Sequence, residues 1–93
     1  MDLNKMEEKR SARLALIQRY ADGGVRFVDE YTAYIDETVT IGEGTVIGPC
    51  VTISGNTKIG KNCFIGQNSY ISDSVIGDGV EIKSSQITES SVG

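Results

Sequence analysis

Two cysteines, a short run of carboxylates and a scatter of threonines are the side chains of this sequence with chemistry to offer. Cys50 and Cys63 lie 13 residues apart, and there is no histidine in the 93 residues. Two thiols without imidazole make a poor zinc set, so both are expected to be buried or half-buried free thiols rather than ligands or a disulfide. Asp73, Asp78 and Glu81 could be imagined around calcium, but their spacing does not match an EF-hand loop. Solvated turn carboxylates are the expected reading. Thr38, Thr40, Thr45, Thr52 and Thr57 do not form the regular outward ladder that a flat ice-binding face would require. No paired general acid and base, nucleophile triad or phosphate-binding glycine loop is present. No residue is therefore assigned to catalysis, to a cofactor or to a metal.

The elements that would hold these residues fall into two segments, a linker helix over 1–24 and a repeat over 25–93. In the first, residues 4 to about 21 read as a helix. Asn4 and Glu7 could form a capping box. Leu3, Met6, Leu14, Ile17 and Ala21, with Leu16 and Tyr20 beside them, recur at roughly helical spacing. Arg10 and Arg13 interrupt this row, which predicts an exposed middle. Gly23-Gly24 ends the helix, since glycine takes the left-handed cap conformation without a Cβ penalty. A linker or cap is the expected role. Glu7 and Glu8 among the basic residues, and the lack of Trp and Phe, argue against a membrane-surface helix.

From Tyr34 the pattern changes. Isoleucine stands at 35, 41, 47, 53, 59, 65 and 71, a strict period of six through the words IDETVT, IGEGTV, IGPCVT, ISGNTK, IGKNCF and IGQNSY. Ile76, Ile82, Ile87 and Val92 continue it with steps of five or six. A period of six excludes an amphipathic helix and suits one short strand plus one tight turn. Three such words would close a triangular coil of about 18 residues, and stacked coils would pair as parallel strands about 4.8 Å apart. The expected fold is all-β, a hexapeptide-repeat parallel β-helix shaped as a triangular prism, with one N-terminal α-helix. Isoleucine columns 35/53/71, 41/59 and 47/65 would fill the prism.

The other positions agree. Gly42, Gly48, Gly60, Gly66 and Gly77 follow isoleucines, where crowding or unusual dihedrals favour a missing side chain. Thr45, Val51, Thr57, Cys63, Ser69 and Val80 are small or β-branched, as the inside of a corner requires. Asn56, Asn62 and Asn68 stand where asparagine would enter the left-handed region. The five-residue words ISDSV, IKSSQ and ITESS predict tightened corners.

Charge narrows the partners. The chain carries −4 overall. Residues 1–26 hold six basic and four acidic groups, whereas residues 27–93 hold three basic and nine acidic. Nucleic acid is not expected as a partner, because phosphate binding needs a positive footprint. No signal-peptide pattern opens the chain and no apolar run approaches the ~20 residues that cross a bilayer, so a cytoplasmic protein without membrane insertion is expected.

The stretch from Gly24 onward resembles one hexapeptide family more than the others. The distinctive residues are Gly24-Val25, Val28-Asp29 and Tyr34-Ile35, then IGPCVTI, SVIGDGVEI and the tail SSQITESSVG. They resemble the start of the C-terminal domain of the bifunctional N-acetylglucosamine-1-phosphate uridyltransferase and glucosamine-1-phosphate N-acetyltransferase, the bacterial enzyme that makes UDP-N-acetylglucosamine. The similarity runs from about residue 5 to Gly93, and the preceding helix resembles that family's interdomain linker. Glu30 stands where the family usually has proline, and Tyr20 where it usually has histidine.

The resemblance implies a left-handed coil, against the usual right-handed rule for parallel crossovers. It also implies a homotrimer, a place in cell-wall precursor synthesis, acetyl-CoA as donor substrate and magnesium for uridyl transfer. The family's uridyltransferase domain precedes the linker, and its acetyltransferase residues, a catalytic histidine among them, come later in the β-helix than Gly93. None of those positions is carried over to this chain, which is expected to be a truncated part of the enzyme, inactive alone. Two other readings stay open: a non-catalytic self-assembling solenoid, and a fragment of another hexapeptide-tailed sugar-nucleotide pyrophosphorylase.

Overall fold

The computed structural model describes the backbone of residues 3–93 and the side chains from residue 11 onward. The helix α1 (Leu3–Asp22) comes first. Leu3, Met6, the Asn4–Glu7 cap, Glu8 and Arg10 have side chains outside the described residues. Twelve short strands follow: β1 (Arg26–Phe27), β2 (Tyr34–Ile35), β3 (Thr40–Ile41), β4 (Val46–Ile47), β5 (Thr52–Ser54), β6 (Lys58–Ile59), β7 (Phe64–Ile65), β8 (Tyr70–Ser72), β9 (Val75–Ile76), β10 (Glu81–Ile82), β11 (Gln86–Thr88) and β12 (Ser91–Val92). Each strand pairs in parallel with the strand three places on, giving the sheets β1-β4-β7-β10, β2-β5-β8-β11 and β3-β6-β9-β12. Consecutive strands therefore lie on different sides of a three-sided solenoid of about four coils, as the isoleucine spacing predicts.

The register turns the repeat into three internal columns. Ile35, Ile53, Ile71 and Ile87 align in one. Ile41, Ile59, Ile76 and Val92 form the second. The third starts with Phe27, which occupies an isoleucine place ahead of Ile47, Ile65 and Ile82. Ile47, Ile53, Ile65 and Ile71 are wholly buried. Burying each such side chain contributes roughly 1.5–3 kcal/mol.

The corners absorb every change in length. Partners are 20 residues apart from Phe27 to Ile47, 18 from Ile35 to Ile53, 17 from Ile59 to Ile76 and 16 from Ile71 to Ile87. A six-residue word places its left-handed residue fourth, as at Cys50 (φ 56°), Asn62 (57°) and Asn68 (59°). The five-residue words move it to third, at Asp73, Ser84 and Glu89. One expectation is corrected here: in ISGNTK the positive φ falls on Gly55 (67°), not on Asn56. The glycines after isoleucine are there for space. A Cβ on Gly42 would lie 2.6 Å from the Gly60 carbonyl carbon, and one on Gly66 would lie 2.7 Å from the Ile82 oxygen.

Buried hydroxyls stitch the corners together. Thr57 Oγ1 donates to the Ser54 carbonyl (2.7 Å) and accepts the Ser74 N–H (3.4 Å). Ser74 Oγ then donates to Ser72 O and accepts the Ser90 N–H. Ser69 bridges Gly66 O and the Ser85 N–H in the same way. Thr45 accepts from Cys63 N, and the Cys63 thiol donates to Gly77 O (3.0 Å). Each of these buried polar atoms is thereby satisfied, as low-dielectric surroundings demand.

The helix closes the first coil. It ends in a Schellman motif, with Val25 N–H on Tyr20 O, Gly24 N–H on Ala21 O, and Gly24 at φ 95°. Ile17 is buried against the core. In the coil stack, N–H groups of one coil donate to carbonyls of the next, as Tyr34 N does to Val51 O and Thr40 N to Thr57 O. The equivalent first-coil carbonyls, Ala33 O and Val39 O, have no earlier coil to donate to them. Arg13 Nη1 donates to Ala33 O (3.0 Å), and the Tyr20 hydroxyl donates to Val39 O (2.5 Å). Two side chains thus replace a missing strand, which blunts a sheet edge. The expected exposure at Arg13 is overturned for this reason: it is half-buried, and it also lies 4.5 Å over the Tyr34 ring.

Candidate functional site

The reactive side chains do not converge. Cys50 and Cys63 are both free thiols; Cys63 is buried, but Cys50 is exposed, which corrects the expectation that it would be at least half-buried. The left-handed corner at Cys50 turns its side chain outward while its N–H donates to Thr32 Oγ1. Asp73 Oδ1 accepts the Asn56 N–H (3.0 Å) and Asp78 Oδ1 accepts the Lys61 N–H (2.8 Å). These carboxylates tie neighbouring coils at their corners. Among the described residues no three His, Cys, Asp or Glu side chains gather as metal ligands. Thr45 and Thr57 point inward and Thr38 donates to Gly55 O, leaving no outward threonine row.

What the chain presents instead is surface. The residue before each internal isoleucine points out. On the β1-β4-β7-β10 sheet that outer row is Arg26, Val46, Phe64 and Glu81. Phe64 is 44% exposed, and Val28 beside the first strand is 64% exposed. Beside Phe64 opens a cleft of about 460 Å³, lined also by Val28, Gly48, Pro49, Gly66, Gln67 and Lys83. On the β2-β5-β8-β11 sheet the row is Tyr34, Thr52, Tyr70 and Gln86, with Tyr34 under Arg13. On the third sheet it is Thr40, Lys58, Val75 and Ser91, polar apart from the valine. A larger cleft of about 680 Å³ lies between α1 and Tyr34, Asp36 and Thr52, with Arg13 and Arg19 on its helix side. The sequence pattern located the inward positions but did not single out Phe64, and marked Val28 only by family resemblance, because outward residues obey no period.

No helix among the described residues is long and apolar enough to cross a membrane. The chain is similar to the bifunctional protein GlmU of several bacteria. The Bdellovibrio bacteriovorus protein is 48% identical over 91 residues, 95% of this chain and 20% of that protein. The Alkaliphilus oremlandii protein is 47% identical over 81 residues, 87% of this chain and 18% of that one. The Clostridioides difficile protein is 43% identical over 93 residues, the whole of this chain and 20% of its own length. The chain therefore spans about a fifth of the relatives it matches. The family model described as the GMPPB C-terminal domain matches residues 30–93, the greater part of the chain. Its three-sided solenoid, matched nearly from end to end, makes this chain a member of the GMPPB C-terminal domain family.

Proposed function

We propose that this chain is scaffold: the linker helix and first coils of a bifunctional enzyme of UDP-N-acetylglucosamine synthesis, working in the cytoplasm and assembling as a homotrimer, with neither acetyl nor uridyl transfer of its own. The observation that carries this reading is the match to GlmU proteins across both segments. Identity of 43–48% extends over 95–100% of the chain in two relatives, so it includes α1 as well as the coils. The chemistry agrees. A general base for attack by an amine needs a titrating group near neutrality; the chain has no histidine, and among the described residues no carboxylates converge. Acetyl-CoA and magnesium would belong to the wider enzyme, not to these residues.

A second reading has one observation in its favour. The GMPPB C-terminal domain model begins at residue 30 and leaves the helix out, as a solenoid tail on another sugar-nucleotide pyrophosphorylase would. The GlmU similarity across α1 weighs against it.

The purified 93-residue chain tests the proposal. It should form an oligomer of its 10.0 kDa protomer and yield no N-acetylglucosamine-1-phosphate from acetyl-CoA and glucosamine-1-phosphate. Turnover above the enzyme-free rate, or a strict monomer at every concentration, would remove it.

A further inference from the structure

We infer that copies of this chain meet through the outer face of the β1-β4-β7-β10 sheet, with Phe64 of one copy seated in the cleft beside Phe64 of the next. This deepens the self-association in the proposed function and rests on it. Three observations select the face. It carries the exposed Phe64 and Val28 with the half-buried Val46 between them. On the second sheet Tyr34 is already engaged by Arg13 of the same chain, 4.5 Å from the ring, and the exposed Tyr70 stands between Thr52 and Gln86 with no second free apolar side chain in its row. The third sheet shows Thr40, Lys58 and Ser91 around one valine.

The occupant follows from how the face is built. Phe64 and Gly66 lie two residues apart on one strand edge, about 6.6 Å by strand rise. The aromatic knob of Phe64 thus lines one side of a cleft of about 460 Å³ that runs along the stack from Val28 on the first coil to Lys83 on the fourth. When two solenoids lie parallel with coils level, the knob row of one faces the cleft row of the other. Val46 and Phe64 then face Gly48 and Gly66. One coil further on, Glu81 of the first copy meets Lys83 at the mouth of the neighbour's cleft, so the same placement pairs opposite charges. Knob and cleft sit at different places on one face, which is heterologous geometry and closes into a ring when the rotation between copies allows. A partner of other chemistry would have to supply both an aromatic group and a carboxylate at this spacing; a second copy supplies them by construction.

Sedimentation of the 93-residue chain over a range of concentrations tests this. Phe64→Glu should raise the dissociation midpoint at least tenfold, while Tyr70→Glu, an equally exposed aromatic on the second sheet, should leave it within about twofold. Glu81→Lys should weaken association, and adding Lys83→Glu should restore it, which a merely structural role for either residue would not do. The charge pair keeps the test decisive where Phe64→Glu fails to fold. An oligomeric wild type whose midpoint is unmoved by Phe64→Glu, or by the two charge changes, overturns this face and leaves the scaffold reading standing. A wild type that stays at 10.0 kDa throughout overturns both.

Discussion

Replacing Thr57 by valine tests whether the corner hydroxyls hold the coils together. The exchange keeps the shape and removes one oxygen from a side chain with no exposed surface. That oxygen donates to Ser54 O and accepts from Ser74 N. Its loss strands the buried Ser74 N–H, whereas Ser54 O keeps the Asp73 N–H (3.4 Å); such an unsatisfied group costs about 1–3 kcal/mol. The upper end is excluded by neighbours: Val39 and Val51 are buried at equivalent corners of other coils without any hydroxyl, so the backbone there tolerates some loss. The extra buried methyl returns about 0.8 kcal/mol. The expected destabilisation is about 0.5–2 kcal/mol. Thr57→Ser keeps both bonds and loses one methyl, which costs about 1 kcal/mol. Urea unfolding followed by circular dichroism, at fixed protomer concentration and with unchanged slope, separates the two. Should the valine variant equal or exceed the wild type in stability, the hydroxyl ladder is decoration and packing alone holds the corners.

Two further outcomes follow from burial. A thiol reagent should modify Cys50 at once in the folded chain and reach Cys63 only on unfolding, because the second thiol is enclosed and donates to Gly77 O; rapid reaction of both would contradict the coil stack. Burial raises the Tyr20 phenol above its ordinary 10.0, with Arg19 opposing and Asp36 and Glu37 adding to the rise. The folded state thus holds that proton more tightly. The resulting stability is complete below pH 10 and is lost as pH climbs through the folded value, so Tyr20→Phe should flatten the alkaline limb of a stability–pH curve.

How much was legible follows from which positions repeat. The seven evenly spaced isoleucines sufficed for the strands, the three sides and the columns, since one period serves both strand and corner. Phe27 was missed at the head of its column because the first corner is longer and an aromatic replaces the aliphatic. Arg13 read as an interruption of an apolar row. Its role is set by Ala33 O, a carbonyl 20 residues away that lacks a donor, and no local pattern carries that. Asn56 lost the left-handed place to Gly55 because either residue suits a corner and only the register decides. The hydroxyls at 45, 57 and 69 were readable as small, but not as bridges, since their partners lie in adjacent coils. The outer face was the least legible: its meaning depends on stacking that brings Val46, Phe64 and Glu81 into one row.

The corners have a consequence for how such a chain can vary. Deleting a residue inside a strand would turn every later side chain inside out, yet the coils here shrink from 20 to 16 residues without one isoleucine leaving its column. Gains and losses of sequence are confined to the three ridges of the prism, where one left-handed residue resets the path. Along those ridges the molecule is a host: a graft placed between Asp29 and Tyr31, or at Asp78-Gly79, would hang outside while the stack beneath kept its count.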